Sequence, residues 1–280
     1  MITVIYEKNL KSGYGHYNRC SSLCSYFYGN GIKTEMIELD EFISNNMTNK
    51  GEIVLVDISF NRTVTIEEKL KCFTTTIGLD WFHKSTLDYN IVAFPHHKPN
   101  ALKQCFIGLD YLIVDQTIQS IRPVKKSKLG QKVLIVIGGG DINNQGVKAA
   151  YYCFNSGYEV HLVLGPLAKP ITNKMPFTVS HHVSNMPALI ANSDWMVTNG
   201  GSCLFEAVTS GRPAIALPQN KAEGAIVSLF KQKNAIIGDQ LTDIHAEFNP
   251  LEVILNGKEL LDGKGAERIL NIVKGIVSKS

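Results

Sequence analysis

Short apolar, β-branched runs alternate with longer segments of helical spacing along most of the chain. The clearest strand-like runs are 3–6, 34–39, 53–57, 75–79 and 91–94, followed by 133–137, 159–164, 195–198, 214–217 and 235–237. Helical stretches fall between many of them, at 16–29, 64–72, 144–156, 203–210, 222–233 and 264–277. Repeated strand, helix, strand order predicts parallel sheets with helices on both faces. The segment 121–130 breaks the rhythm: it is polar and basic and carries Pro123 and Gly130. Beyond it the pattern restarts with a strand and a glycine turn. The expected organisation is an N-terminal domain over 1–122, a linker over 123–130 and a C-terminal domain over 131–280. The fold class this predicts is α/β, with two doubly wound, Rossmann-type domains facing each other across a cleft.

Composition changes this picture little. The chain has 280 residues, 44% hydrophobic and 19% charged, enough for two ordinary cores. No run of about 18 apolar residues occurs, so no integral membrane segment is expected. The N-terminus runs straight into a strand without a signal-peptide pattern, which makes a cytoplasmic location the expectation. A net charge of +3 gives no reason to expect nucleic acid. Lys125, Lys126 and Lys128 read as a solvated linker. None of the six cysteines forms a CxxC pair, and Cys20 and Cys24 lack the further ligands of a zinc site. No cofactor is expected, and oligomeric state leaves no mark in the sequence.

Candidate chemistry gathers where strands end. The first strand is followed by Gly13-Tyr14-Gly15-His16-Tyr17-Asn18-Arg19. A glycine loop thus delivers a histidine to the first turn of a helix, at the sheet edge where ligands bind. The positive end of the helix dipole favours a neutral imidazole, the form that accepts a proton. A second turn, Gly138-Gly139-Gly140-Asp141, follows the strand at 133–137. It can approach an anion, but Asp141 also suits a simple helix cap. A third loop, Thr198-Asn199-Gly200-Gly201-Ser202, leads into a helix carrying Glu206. Ser202 can cap that helix, and the amides of Gly200, Gly201 and Ser202 can cradle a diphosphate. Glu206 can accept from two ribose hydroxyls or stand as a surface glutamate near a helix start. Gln219 and Asn220, in the next loop, can read sugar or phosphate oxygens or serve as plain loop residues. The adjacent pairs His96/His97 and His181/His182 lack the spacing of a helical metal site.

Together these motifs resemble the two-domain GT-B nucleotide-sugar enzymes. Within them the chain is most similar to the UDP-sugar hydrolases of pseudaminic acid biosynthesis, which are related to MurG-type glycosyltransferases. The first loop matches the family's G-x-G-H-x-x-R pattern through Gly13, Gly15, His16 and Arg19. The likeness continues through Val54 to Asp57, Gly78-Leu79-Asp80, the second glycine turn and Ser202 to Glu206. The resemblance implies a UDP-sugar substrate, His16 as general base for water attack at the anomeric carbon, and Asp80 as its partner orienting substrate or water. It implies substrate contacts from Gly13, Gly15, Arg19, Gly139, Gly140, Gly200, Gly201, Ser202, Glu206, Gln219 and Asn220, and no metal. Two positions depart from the hydrolases. Ile58-Ser59-Phe60 replaces a His-Tyr-Gly stretch, and Trp81 stands where a second carboxylate is found. Phe60 and Trp81 can equally belong to an acceptor groove, which keeps a glycosyltransferase as the alternative. A binding subunit without chemistry is the third reading.

Overall fold

The computed structural model describes residues 1–8, 15–44, 52–59, 66–81, 87–94, 104–139, 141, 144–168, 170–181 and 183–278. The chain divides into two compact units, Met1–Asp115 with Gly263–Ser280, and Gln116–Asp262.

The first unit holds a parallel sheet of six strands: β1 (Ile2–Tyr6), β2 (Thr34–Glu38), β3 (Ile53–Asp57), β4 (Thr75–Leu79), β5 (Tyr89–Val92) and β6 (Gln104–Ile107). Their spatial order is β2-β1-β3-β4-β5-β6. The chain leaves β1 through helix α1 (Gly15–Gly29) to β2 on one side, then crosses to β3 on the other. The gap beyond the carboxyl ends of β1 and β3 is therefore a topological switch point, the general ligand position of open α/β sheets. Tyr6 lies opposite Asp57 in this register, so both strands end at the same level.

Alternation along the strands explains the two layers. Val4, Leu55 and Ile77 face α1, whose Cys20, Leu23, Cys24 and Phe27 are buried one turn after another. Ile5, Val54 and Val56 face the other side, with α2 (Leu39–Ser44), α3 (Glu67–Leu70), Phe73 and Trp81.

The second unit holds five parallel strands: β7 (Lys132–Val136), β8 (Glu159–Leu164), β9 (Thr178–His181), β10 (Trp195–Thr198) and β11 (Ala214–Ala216). Their order is β11-β10-β7-β8-β9, which places a second switch point between β7 and β10. The main helices here are α5 (Gln145–Asn155), α6 (Met186–Asn192), α7 (Ser202–Thr209), α8 (Lys221–Gln232) and α9 (Pro250–Leu260), after a short α4 (Gln116–Gln119).

The division differs from the sequence-based boundaries in two places. Helix α10 (Gly265–Val277) packs in the first unit, because Ala266, Ile269, Leu270, Val273 and Ile276 form one apolar stripe against α1 and the sheet. The basic segment expected to link domains belongs to the second unit. Val124 N–H donates to Gly211 O at 3.2 Å, and Arg212 Nη1 donates to Arg122 O at 2.9 Å. Lys126 also pairs with Asp194 at 2.6 Å. The expected strand at 235–237 is reduced to a single bridge, Ile215 with Gly238. Strands β6 and β9 were missed. Each has the burial pattern of a lone sheet edge, exposed at both ends, so neither carries a continuous apolar run.

The buried stripe of α10 makes the first unit depend on the end of the chain. Ile269→Ala, at a position with 0% exposure, is expected to cost about 2–5 kcal/mol. Leu255→Ala, at an exposed α9 position, should stay within about 0.5 kcal/mol. Urea denaturation of the two variants beside the parent measures both.

Candidate functional site

The polar cluster of the first unit lies at the β1/β3 switch point. His16 is the second residue of α1, and its Nδ1 lies 2.6 Å from Asp57 Oδ1. Asp57 ends β3 with no exposed surface, while the His16 side chain keeps 20% of its exposure. A carboxylate only accepts, so in the neutral ring Nδ1 carries the proton and Nε2 is left as the acceptor. This is the arrangement in which a carboxylate fixes a histidine as a base.

Arg19 stands one turn along α1, on the same face. Its Nε donates to Asp57 Oδ2 at 2.9 Å, and Nη2 donates to Asp57 Oδ1 at 2.5 Å. Its Nη1 donates to Asp80 Oδ2 at 2.8 Å. All three guanidinium nitrogens are thus engaged with carboxylates. Nη2 also sits 3.3 Å from His16 Nδ1. With both nitrogens protonated, that approach is a contact between donors rather than a hydrogen bond. Cys20 completes the ring, its thiol donating to Asp57 Oδ2 at 3.7 Å.

Asp80 follows β4 in the left-handed region, at φ 52°, which Asp tolerates better than most residues. Its Oδ1 accepts from Ala93 N–H at 2.8 Å, and its own N–H donates to Ile91 O at 2.8 Å. The next residue, Trp81, is 1% exposed and packs among Ile66, Leu70 and Phe73. The expectation that Trp81 lines an acceptor groove is therefore corrected. A Cβ on Gly78 would stand 2.6 Å from that of Trp81, so the glycine makes room for the ring inside the core. Phe60 lies outside the described residues.

One guanidinium cannot serve two buried carboxylates equally. Burial alone would raise Asp57, but Arg19 and then His16 beside it hold its pKa at about 2. Asp80 moves the other way: burial and the neighbouring Asp57 charge raise it despite Arg19. Burial, the carboxylates and their hydrogen bonds leave Arg19 with a raised pKa, burial alone acting against the rise. The Cys20 thiol is pushed well above its ordinary range by burial and by Asp57, so it remains a neutral donor.

In the second unit the β7 and β10 loops meet at Asn199. A Cβ on Gly138, which has φ 60°, would come 2.9 Å from Asn199 Nδ2. Asn199 Nδ2 donates to Glu223 Oε1 at 3.0 Å. Glu223 Oε2 accepts from Gly200 N–H at 3.2 Å and Gln219 N–H at 2.8 Å. One carboxylate on α8 thereby ties together the loops after β10 and β11.

This network decides which amides remain for an anion. Asp141 takes the α5 amides of Gln145 and Gly146 at 2.7 and 2.8 Å, so it is a cap. Asn220 caps α8 through Glu223 N–H at 2.9 Å. Gly200 N–H, expected to face a diphosphate, is occupied by Glu223. Helix α7 starts at Ser202 with Gly201 as N-cap and no side-chain cap, so Ser202 does not cap it as expected. Ser202 and Glu206 lie four apart on α7, the first exposed and the second half-buried. Gln219 Nε2 reaches Ile137 O at 3.3 Å, and Gly139 O accepts from Leu167 N–H at 2.9 Å. Gly15 opens α1, with no atom of the described residues within 4 Å of where its Cβ would be. Gly13 and Gly140 lie outside the described residues, as do His96, His97 and His182.

Sequence reasoning placed no role on Asp57, Asn199 or Glu223. Asp57 left one signal: it is the lone charge closing a fully apolar strand, where burial demands a partner. Among the described residues no group of acidic, histidine and cysteine side chains is placed to hold a metal ion. None of the described helices is long and apolar enough to cross a membrane.

No family model matches the chain. It is 24% identical over 181 residues to an uncharacterized protein of Methanocaldococcus jannaschii, a match spanning 54% of this chain and 37% of that protein's length. Solved structures define the fold class. MurG of Acinetobacter baumannii matches with a TM-score of 0.58 at 10% identity, over 98% of this chain and 99% of that one. The spinosyn rhamnosyltransferase SpnG, complexed with thymidine diphosphate, gives 0.61 at 11% identity, over 97% and 100%. A putative UDP-N-acetylglucosamine 2-epimerase of Listeria monocytogenes gives 0.60 at 12% identity, over 100% and 97%. The chain therefore has a GT-B-type fold built from two parallel-sheet α/β units.

The opposite displacements of Asp57 and Asp80 predict opposite consequences for stability. Asp57 is held below its unfolded value of about 3.9, so its contribution is fully present above that pH and is lost as pH falls toward about 2. Asp80 is raised, so its ionisation works against the folded state once pH climbs past the ordinary carboxylate range. At neutral pH Asp57→Asn should cost about 3–5 kcal/mol, because it removes the charge that takes two of the three carboxylate bonds of Arg19 and leaves Asp80 as its remaining carboxylate partner among the described residues. Asp80→Asn, which keeps the acceptor for Ala93 and tolerates the backbone, should cost distinctly less. Denaturation midpoints across pH 2 to 7 test the order, and the gap between the variants should narrow toward the acid end.

Proposed function

We propose that the chain is an enzyme acting on a nucleoside-diphosphate sugar, with His16 as general base and water as the nucleophile. The observation that carries this reading is the 2.6 Å contact that fixes His16 on a buried carboxylate at the switch point. In the proposed step Nε2 takes a proton from water. The oxygen bonds to the anomeric carbon, the bond to the diphosphate oxygen breaks, and its electron pair leaves with the nucleotide. A free sugar and UDP result, with inversion at the anomeric carbon. The substrate class suggested by the sequence resemblance is a UDP-linked N-acetylated deoxy sugar of the pseudaminic acid type.

Leaving-group recognition belongs to the second unit in this reading. The uncapped start of α7 supplies amide donors and a favourable dipole for the diphosphate. Glu206, one turn along, accepts from the ribose hydroxyls. Gly15, at the start of α1, leaves open space beside His16 among the described residues, and the substrate approaches there. Asp80 acts through Arg19 rather than on the water directly.

A glycosyltransferase is the second reading, and the fold neighbours favour it: MurG and the rhamnosyltransferase carry that fold. The same base would then deprotonate an acceptor hydroxyl. The deciding experiment measures UDP release from UDP-N-acetyl sugars with and without added acceptors, following the sugar by mass. Free sugar without acceptor supports the hydrolase, and release only with acceptor supports the transferase. His16→Ala should lower turnover about 10²–10⁴-fold while UDP binding stays intact. Near-normal turnover removes His16 from the chemistry. Glu206→Ala should weaken UDP binding, and an unchanged affinity by calorimetry rejects the ribose contact.

A further inference from the structure

We infer that Arg19 is a positioning residue that keeps His16 usable as a base, rather than a substrate-binding arginine. The inference rests on the reading of His16 as the base and adds to it the group that sets its working range.

A histidine bonded through Nδ1 to a buried carboxylate faces a conflict. The carboxylate orients the ring, but its charge also stabilises the imidazolium, and a protonated ring cannot accept a proton. Here the same carboxylate oxygen that faces His16 also accepts from Arg19 Nη2 at 2.5 Å. The guanidinium stands 3.3 Å from the ring nitrogen itself. Its positive charge opposes a second positive charge on the imidazole, while its hydrogen bonds share the electron density of Asp57. Asp57 thus orients the ring with much of its field already neutralised.

The guanidinium is fixed by a second partner. Nη1 bonds to Asp80, which the Ala93 and Ile91 backbone holds in turn. Arg19 is therefore clamped between the ends of β3 and β4, and its planar fork fits both carboxylates at once. Among the described residues the charged and titratable groups around His16 include Asp57 from β3, Asp80 after β4, Arg19 and Cys20 from α1, and the adjacent Tyr17, over whose ring Lys8 Nζ stands 4.7 Å from the centroid. Glu7, after β1, adds a buried carboxylate that accepts from Ser59 N–H at 2.8 Å. Among the described residues Arg19 is the cation bonded to Asp57 and Asp80, so its removal leaves both carboxylates beside His16 without that charge. Three of its five N–H groups are bonded to carboxylates, and these bonds set the plane of the guanidinium against the ends of β3 and β4.

The test is an NMR titration of His16 in the full chain labelled at histidine. The His16 signal among the eight histidines is assigned by its loss in His16→Gln. Arg19→Met should move the His16 titration to higher pH by about one pH unit or more, and the acid limb of the pH–rate profile should follow. Asp80→Asn removes a carboxylate and should move the titration the opposite way. Arg19→Lys keeps the charge without the fork, so the titration should stay near the parent while turnover drops. Opposite displacements in Arg19→Met and Asp80→Asn are not expected of a merely structural role. An unmoved His16 titration in folded Arg19→Met overturns the inference. Should that variant fail to fold, an unmoved titration in Asp80→Asn overturns it equally. If the titrations move as stated but His16→Ala retains turnover, the charge clamp stands and the catalytic reading of His16 fails.

Discussion

Asp57 is a carboxylate with no exposed surface at the end of an apolar strand. An ion in that position costs several kcal/mol unless charges and donors surround it. The partners come from one helix. His16, Arg19 and Cys20 lie three and four residues apart, so they share the face of α1 that turns toward the sheet. The same face continues as Leu23, Cys24 and Phe27, buried against Val4 and Leu55. Hydrophobic packing and ion pairing therefore demand one rotation of α1 about its axis. That agreement places a histidine at the mouth of the switch point without leaving a buried charge unpaired.

The second unit meets the same topological constraint with different chemistry. Its junction also holds a carboxylate, Glu223, but the partners are two backbone amides and a side-chain amide rather than a guanidinium. Such a carboxylate locks loops together without adding positive charge. Three of the loop ends that the sequence suggests for anions or sugar oxygens are already served by Asp141, Asn220 and Glu223. The start of α7 stands apart among them because Gly201 has no side chain with which to cap it.

Much of this architecture was legible in the sequence. Central strands buried on both faces leave unbroken apolar runs, so β1, β3, β7 and β10 were placed nearly to the residue. Edge strands such as β6 and β9 carry exposed ends, and their patterns fade into loop. The stripe on α10 announced a helix but not its destination, since an apolar face does not say which core it completes. The site was legible where one residue type implies one chemistry, as for His16 after a glycine loop. It was not legible where meaning depends on a distant partner. Arg19 reads as a substrate contact until Asp57 and Asp80, 38 and 61 residues away, take its nitrogens. Trp81 likewise reads as a groove residue until Gly78 makes room for it in the core.

The remaining question, water against an acceptor hydroxyl, does not reside in the base itself. Both nucleophiles present an O–H to the same Nε2, and the Asp57 contact that orients the ring is indifferent to what lies beyond it. What separates them is whether the space beside His16 admits a carbon-bearing hydroxyl or excludes everything larger than water. With Trp81 in the core, the Asp80 side of that space is shaped by a carboxylate held by Arg19 and Ala93, not by an aromatic platform. On the Asp80 side the described polar groups are thus engaged with one another, and the wall they form belongs to the same charge network that holds His16.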